Sequence, residues 1–126
     1  MTKVVFFRSN DSFWGFEEQG HTGFDASGND ILCSAISAMT MLVINAIEVS
    51  YEAEADYEID EETTNVRVSS CSALPEYESD ERKRYAISGL IKAYYYQLMD
   101  LVEEYYDYLD VEVVEKKFDG NKKRKN

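Results

Sequence analysis

Histidine, cysteine and basic residues are all scarce in this chain, and each shortage removes a class of function. There is one histidine, His21, and there are two cysteines, Cys33 and Cys71. A structural zinc site usually takes four such ligands, so none is expected, and nothing else in the sequence asks for a metal or cofactor. Thirteen basic residues against 25 acidic ones give a net charge of -12. That balance argues against a nucleic-acid-binding body, because neutralising phosphates needs a basic face. It suits a cationic partner better, although from charge alone a solvated acidic surface is the preferred reading. The opening residues, Met1 to Arg8, lack the apolar core and small-residue cleavage site of a signal peptide. With so few thiols, reduced cysteines and a cytoplasmic location follow as expectations. No repeat period is visible.

What is present reads as one domain of 126 residues, with its body in residues 1–118 and a disordered basic tail at 119–126. Residues 3–9 and 13–19 are rich in Val, Phe and Trp, and Ser9-Asn10-Asp11-Ser12 between them predicts a β-hairpin. A glycine-rich segment follows, and Asn29 or Asp30 suits the cap of a helix that places Cys33 near its third position. Ile31 to Ile47 carries no charge, but Ser34, Ser37, Thr40 and Asn45 interrupt it and Asp30 and Glu48 bracket it. A buried helix of a soluble domain is therefore preferred to a membrane span. Helical spacing puts Asp30, Cys33 and Ser37 on one face, and Leu32, Ala35, Ile36, Met39, Val43, Ala46 and Ile47 on another. A helix apolar nearly all round, in a chain this small, predicts a homodimer through that helix.

Tyr51 to Asp60 alternates apolar and acidic residues and predicts a half-buried strand. Its acids form a ladder and do not converge on one ion, so a solvated face is preferred to a metal site. Val66 to Ala73 returns as a strand before Pro75, with Cys71 inside it as a core residue. Ser79 or Asp80 opens a second helix to about Tyr106, with Ile87, Leu90, Ile91, Tyr94, Leu98, Leu101, Val102 and Tyr105 at helical spacing. Leu109 to Glu115 is a final strand. The predicted fold is α/β, a small two-layer sandwich of a mixed or antiparallel sheet with two long helices in the order ββαββαβ.

The chemistry concentrates between Gly20 and Cys33. His21 would stand at a strand end and Cys33 at a helix start, where backbone N–H groups and the helix dipole favour a thiolate and a neighbouring imidazolium lowers the thiol pKa further. A nucleophile with its own base is the simplest reading. Gly20, Gly23 and Gly28 would shape a loop able to close over a substrate. A spacing of twelve residues between one histidine and one cysteine is weak evidence alone, and the surrounding glycines and helix start strengthen it.

Gly15-Phe16, Gly20-His21, Gly23, the block Asp30-Ile31-Leu32-Cys33-Ser34-Ala35-Ile36-Ser37-Ala38 and Asn45-Ala46-Ile47-Glu48 resemble the ribosomal-processing cysteine protease family, Prp. The stretch around Gly89-Leu90 and Tyr105 to Val111 resembles that family's C-terminal part. The resemblance implies a homodimeric α/β sandwich and a Cys/His endopeptidase. It would trim a short N-terminal extension from large-subunit ribosomal protein twenty-seven after a pair of aromatic residues, with no membrane and no direct nucleic-acid contact required. His21 matches the base, Cys33 the nucleophile, and Asp30 and Ser37 the supporting polar residues. Thr22 and Ser34 depart from the small alanines usual there, which alters loop packing and leaves the dyad intact. Asp30 either caps the helix or orients His21; Ser37 either bonds within the site or back-bonds to its helix. A non-catalytic ribosome-associated binding or dimerisation module would use the same fold, and a redox-sensing thiol would need Cys33 without cleavage.

Overall fold

The computed structural model describes residues 1–20 and 29–120, with the backbone alone described for Asn29 and Asp30. Strands β1 (Thr2–Ser9) and β2 (Ser12–Gln19) form the expected hairpin. Asn10 and Asp11 take positive φ values of 49° and 66°, the two-residue turn that matches the natural twist of a hairpin. Helix α1 (Asn29–Asn45) follows, then β3 (Asp56–Ile59), β4 (Val66–Ser69), α2 (Glu81–Tyr105) and β5 (Leu109–Glu115). The sheet order is β3-β4-β2-β1-β5. Only β1 and β5 run parallel, so the sheet is mixed.

A bulge in the hairpin decides which side chains face the helices. Phe7 pairs with Gly15 and Arg8 with Phe13, leaving Trp14 as the extra residue. Phe6, Phe13 and Phe16 pack on one side against Tyr94 and Tyr95 of α2. Trp14 stacks on Phe7 on the other side and meets the edge of Phe118. Its Nε1–H donates to the Lys116 carbonyl at 2.9 Å. Arg67 pairs with Asp119 across the same face, and Lys116 reaches Asp119 at 2.9 Å. The C-terminal segment thus covers part of the sheet away from the helices. Asp119 and Gly120, grouped with the tail on composition, lie in this packed segment; residues 121–126 are outside the described residues.

Both helices lie on the first side. Asp80 caps α2 by accepting from the Arg82 and Lys83 N–H groups, and Ile87, Ile91, Tyr94 and Leu98 enter the core at helical spacing. On α1, Leu32, Ile36, Val43 and Ile44 are buried in the same core. The segment Ile31–Ser50, of mean hydropathy 1.8, is long and apolar enough to cross a membrane; in this fold its inner stripe packs on the sheet and α2, while Ile31, Met41, Leu42 and Val49 are left exposed.

Two strand boundaries differ from expectation for a hydrogen-bonding reason. The chain leaves α1 through a π-helical turn, Ala46–Ser50, whose carbonyls capture the N–H groups of Tyr51 and Ala53. Those groups are then lost to a ladder, and β3 starts at Asp56 instead of Tyr51. β4 ends at Ser69 because the chain turns into a short 3-10 segment, Cys71–Ala73, whose Ser72 N–H is capped by the Ser70 hydroxyl. Cys71 is buried as expected, but in that turn and not in a strand. β3 is an edge strand, and Tyr57 and Ile59 on its helix side are exposed where the expectation was a half-buried face.

Candidate active site

The space that β3 leaves uncovered is a cavity of about 420 Å³ between α1 and the outer part of the sheet. From α1 it takes Cys33, Ser37, Thr40, Met41 and Ile44, one face read at successive turns. From the sheet it takes Glu18 on β2, Tyr57 and Ile59 on β3 and Val66 on β4, with Thr64 in the turn between the last two strands. Val66 pairs with both Glu18 and Ile59, which brings these three side chains to one side of the sheet. On the sheet side Tyr57, Ile59 and Val66 are apolar and Glu18 and Thr64 polar. On α1 it carries a polar line, Cys33, Ser37 and Thr40, of which Thr40 is buried.

Cys33 is the fifth residue of α1, two positions deeper than expected, because the helix already begins at Asn29. It is half-buried and in no disulfide, and Ser37 stands exposed one turn beyond it on the same cavity wall. These two of the expected site residues are therefore brought together. Gly20 closes β2 with a φ of 77°, a left-handed conformation that glycine adopts without strain. His21, Gly23 and Gly28 lie outside the described residues, as does the side chain of Asp30. Among the described residues no three His, Cys, Asp or Glu side chains group as a metal centre would require.

At the inner end lies a group the residue patterns did not single out. The Glu18 side chain is buried, with 1% of its surface exposed. Its carboxyl accepts from the Thr40 hydroxyl at 2.7 Å and from the Tyr94 hydroxyl at 3.2 Å, and those two hydroxyls are 3.2 Å apart. Burial raises the Glu18 pKa to about 7, against the pull of the two hydroxyls toward the charged form. Burial, and then the charge of Glu18, pushes the Tyr94 phenol upward as well. The available signal was parity: Glu18 is two residues beyond Phe16 in a strand, so it shares the core face.

No curated protein is significantly similar to this chain. Among solved structures, SMU.848 from Streptococcus mutans superposes with a TM-score of 0.75 at 23% identity, covering 92% of this chain and 99% of that one. An essential ribosomal processing protease, Prp, from S. aureus superposes in two complexes. With a substrate peptide the TM-score is 0.70 at 17% identity over 92% of this chain and 100% of the other. With a covalently linked product peptide it is again 0.70 at 17%, over 90% and 100%. These likenesses establish a shared fold. The family model of the cysteine protease Prp matches residues 1–110, which takes in the hairpin, both helices and the cavity between α1 and the sheet, and the chain belongs to that family.

Proposed function

We propose that this protein is a cytoplasmic cysteine endopeptidase that removes a short N-terminal extension from large-subunit ribosomal protein twenty-seven. The observation that carries the reading is Cys33: in a chain matched by the Prp family model, its thiol stands on α1 at the wall of a cavity large enough for a substrate side chain. The S. aureus protease of the same fold has been captured with a substrate peptide and with a covalently linked product peptide, which supports peptide chemistry at such a site. An acidic enzyme also suits a basic ribosomal protein.

In the proposed reaction the Cys33 thiolate attacks the scissile carbonyl and a C–S bond forms. His21 holds the thiol proton and passes it to the leaving amine as the C–N bond breaks, and water then hydrolyses the thioester. Backbone amides at the start of α1 would stabilise the oxyanion. Asp30, the second residue of α1 and so inside its first turn instead of capping it, would place a negative charge at the helix N-terminus and hold the loop, and Ser37 would bond within the site from one turn along. The apolar side chains of Ile31, Met41 and Leu42 on α1 and Val49 in the turn after it are 52% or more exposed and would supply the surface for a homodimer. Sedimentation is expected to give twice the 14.5 kDa chain mass.

The test is incubation of the wild type, Cys33→Ala and His21→Ala with the extended ribosomal protein of the same organism, followed by intact-mass spectrometry. Loss of a short N-terminal peptide with the wild type alone is expected. Complex formation without cleavage by any of the three would replace the protease with a binding module.

A further inference from the structure

Glu18 is the one charged side chain among the described residues that line the cavity. Its partners there are two neutral hydroxyls, Thr40 and Tyr94, and among the described residues no cation pairs with it. An apolar residue at this position would cost the fold less, because a buried carboxyl loses its hydration and two hydroxyl bonds restore only part of it. A carboxylate has about four acceptor positions, and two donated protons leave capacity on the cavity side.

The spacing along α1 sets the size of what fits between the thiol and that carboxyl. Cys33 and Thr40 are seven residues apart, about 10 Å along a helix. A hydrogen bond to Glu18 occupies about 3 Å, which leaves about 7 Å for a substrate side chain running inward from the scissile bond. Short polar side chains fall short. Met41, Ile44, Tyr57, Ile59 and Val66 make the intervening walls mostly apolar, with Ser37 and Thr64 the polar exceptions, so an apolar shaft with a polar tip fits best.

We propose that this cavity selects a tyrosine of the substrate beside the scissile bond, with Glu18 at its floor accepting a hydrogen bond from the phenol. This assignment rests on the protease reading for the identity of the substrate as a peptide. Tyrosine fits better than lysine because a phenol donates to a carboxylate and also accepts from a carboxylic acid, whereas an ammonium only donates. The Glu18 pKa of about 7 means that both forms are present near neutral pH. Among the described residues the walls also offer apolar contact to a ring and no second anion to a cation.

The experiment uses peptides spanning the N-terminal extension of the ribosomal protein, with the aromatic positions at the cut set to Tyr, Phe or Lys. The wild type is expected to cleave the Tyr peptide with a kcat/KM at least about tenfold above the Phe peptide, the range of a hydrogen bond to a charged group. In Glu18→Leu the Tyr-to-Phe ratio should fall to about one. Glu18→Gln, which keeps an acceptor of the same size, should retain part of the preference and guards against a folding defect in the leucine variant. Equal rates in the wild type, a preference that survives in Glu18→Leu, or a faster Lys peptide would overturn the proposal. The same peptides titrated by fluorescence anisotropy against Cys33→Ala, with and without Glu18→Leu, separate the two readings. Tighter, Glu18-dependent binding of the Tyr peptide without cleavage by the wild type would keep the pocket and remove the protease; equal Kd values for Tyr and Phe would remove the pocket.

Discussion

Replacing Glu18 with glutamine should change how stability depends on pH, by an amount the structure sets. In the unfolded chain the carboxyl titrates near its ordinary 4.5, and in the fold burial holds it at about 7. The neutral carboxyl is thus the form the fold favours. Its contribution is fully present below pH 4.5 and is lost as pH rises through 7, because the unfolded chain ionises freely while the fold must ionise a buried group. The interval corresponds to about 3 kcal/mol between pH 4 and pH 8.5. Asp60, Asp80 and Asp119, whose pKa values are lowered, act in the opposite sense and at more acid pH, and they are common to both proteins. Glutamine is neutral throughout, and its amide can donate to the Thr40 or Tyr94 hydroxyl. Glu18→Gln should therefore gain on the wild type from about pH 4.5 to about pH 7 and level off above that. Urea unfolding followed by the fluorescence of Trp14, the single and fully buried tryptophan, measures this at fixed protein concentration. A stability difference that stays constant across that range would mean that Glu18 ionises normally in the fold.

The legible parts of the fold were those whose pattern and hydrogen bonding agree. The hairpin has period-two apolar residues on both sides of an Asn-Asp turn, and α2 has an unbroken inner stripe from Ile87 to Leu98 behind the Asp80 cap. Tyr51 to Asp60 has an equally clean alternation, yet its first residues are held by carbonyls of the preceding helical turn, a competition that no periodicity records. The parallel pairing of β5 with β1 joins residues more than a hundred positions apart and leaves no local trace. At the site, the placement of Cys33 and Ser37 on one helix face was readable from their spacing of four. Glu18 was not singled out, because Glu17-Glu18 reads as a solvated acidic pair, although the parity of Phe16 and Glu18 pointed one of the two inward. The pairing of His21 with Cys33 rests on sequence and family alone, since His21 lies outside the described residues.

Trp14→Phe removes the N–H that holds the Lys116 carbonyl and the edge contact with Phe118. Amide exchange at Lys116, whose N–H bonds the Arg8 carbonyl, should accelerate more than exchange in α2; equal changes in both would mean that the C-terminal segment is not docked through Trp14. Two glycine-to-alanine changes should have opposite signs. Gly89 lies inside α2 with nothing within 4 Å of an added Cβ, so alanine there should stabilise by about 0.5–1 kcal/mol through backbone entropy. Gly20 has a φ of 77°, and an added Cβ would overlap the Met1 carbonyl oxygen. The left-handed backbone alone costs a side chain about 1–2 kcal/mol, and relieving the overlap must displace backbone where β1 begins. Gly20→Ala should therefore lower the thermal midpoint while Gly89→Ala raises it. Because Gly20 joins Glu18 on β2 to His21, the proposed base, its variant should also lose peptide cleavage beyond the fraction unfolded; loss of stability with cleavage per folded molecule intact would show that the end of β2 does not position such a base.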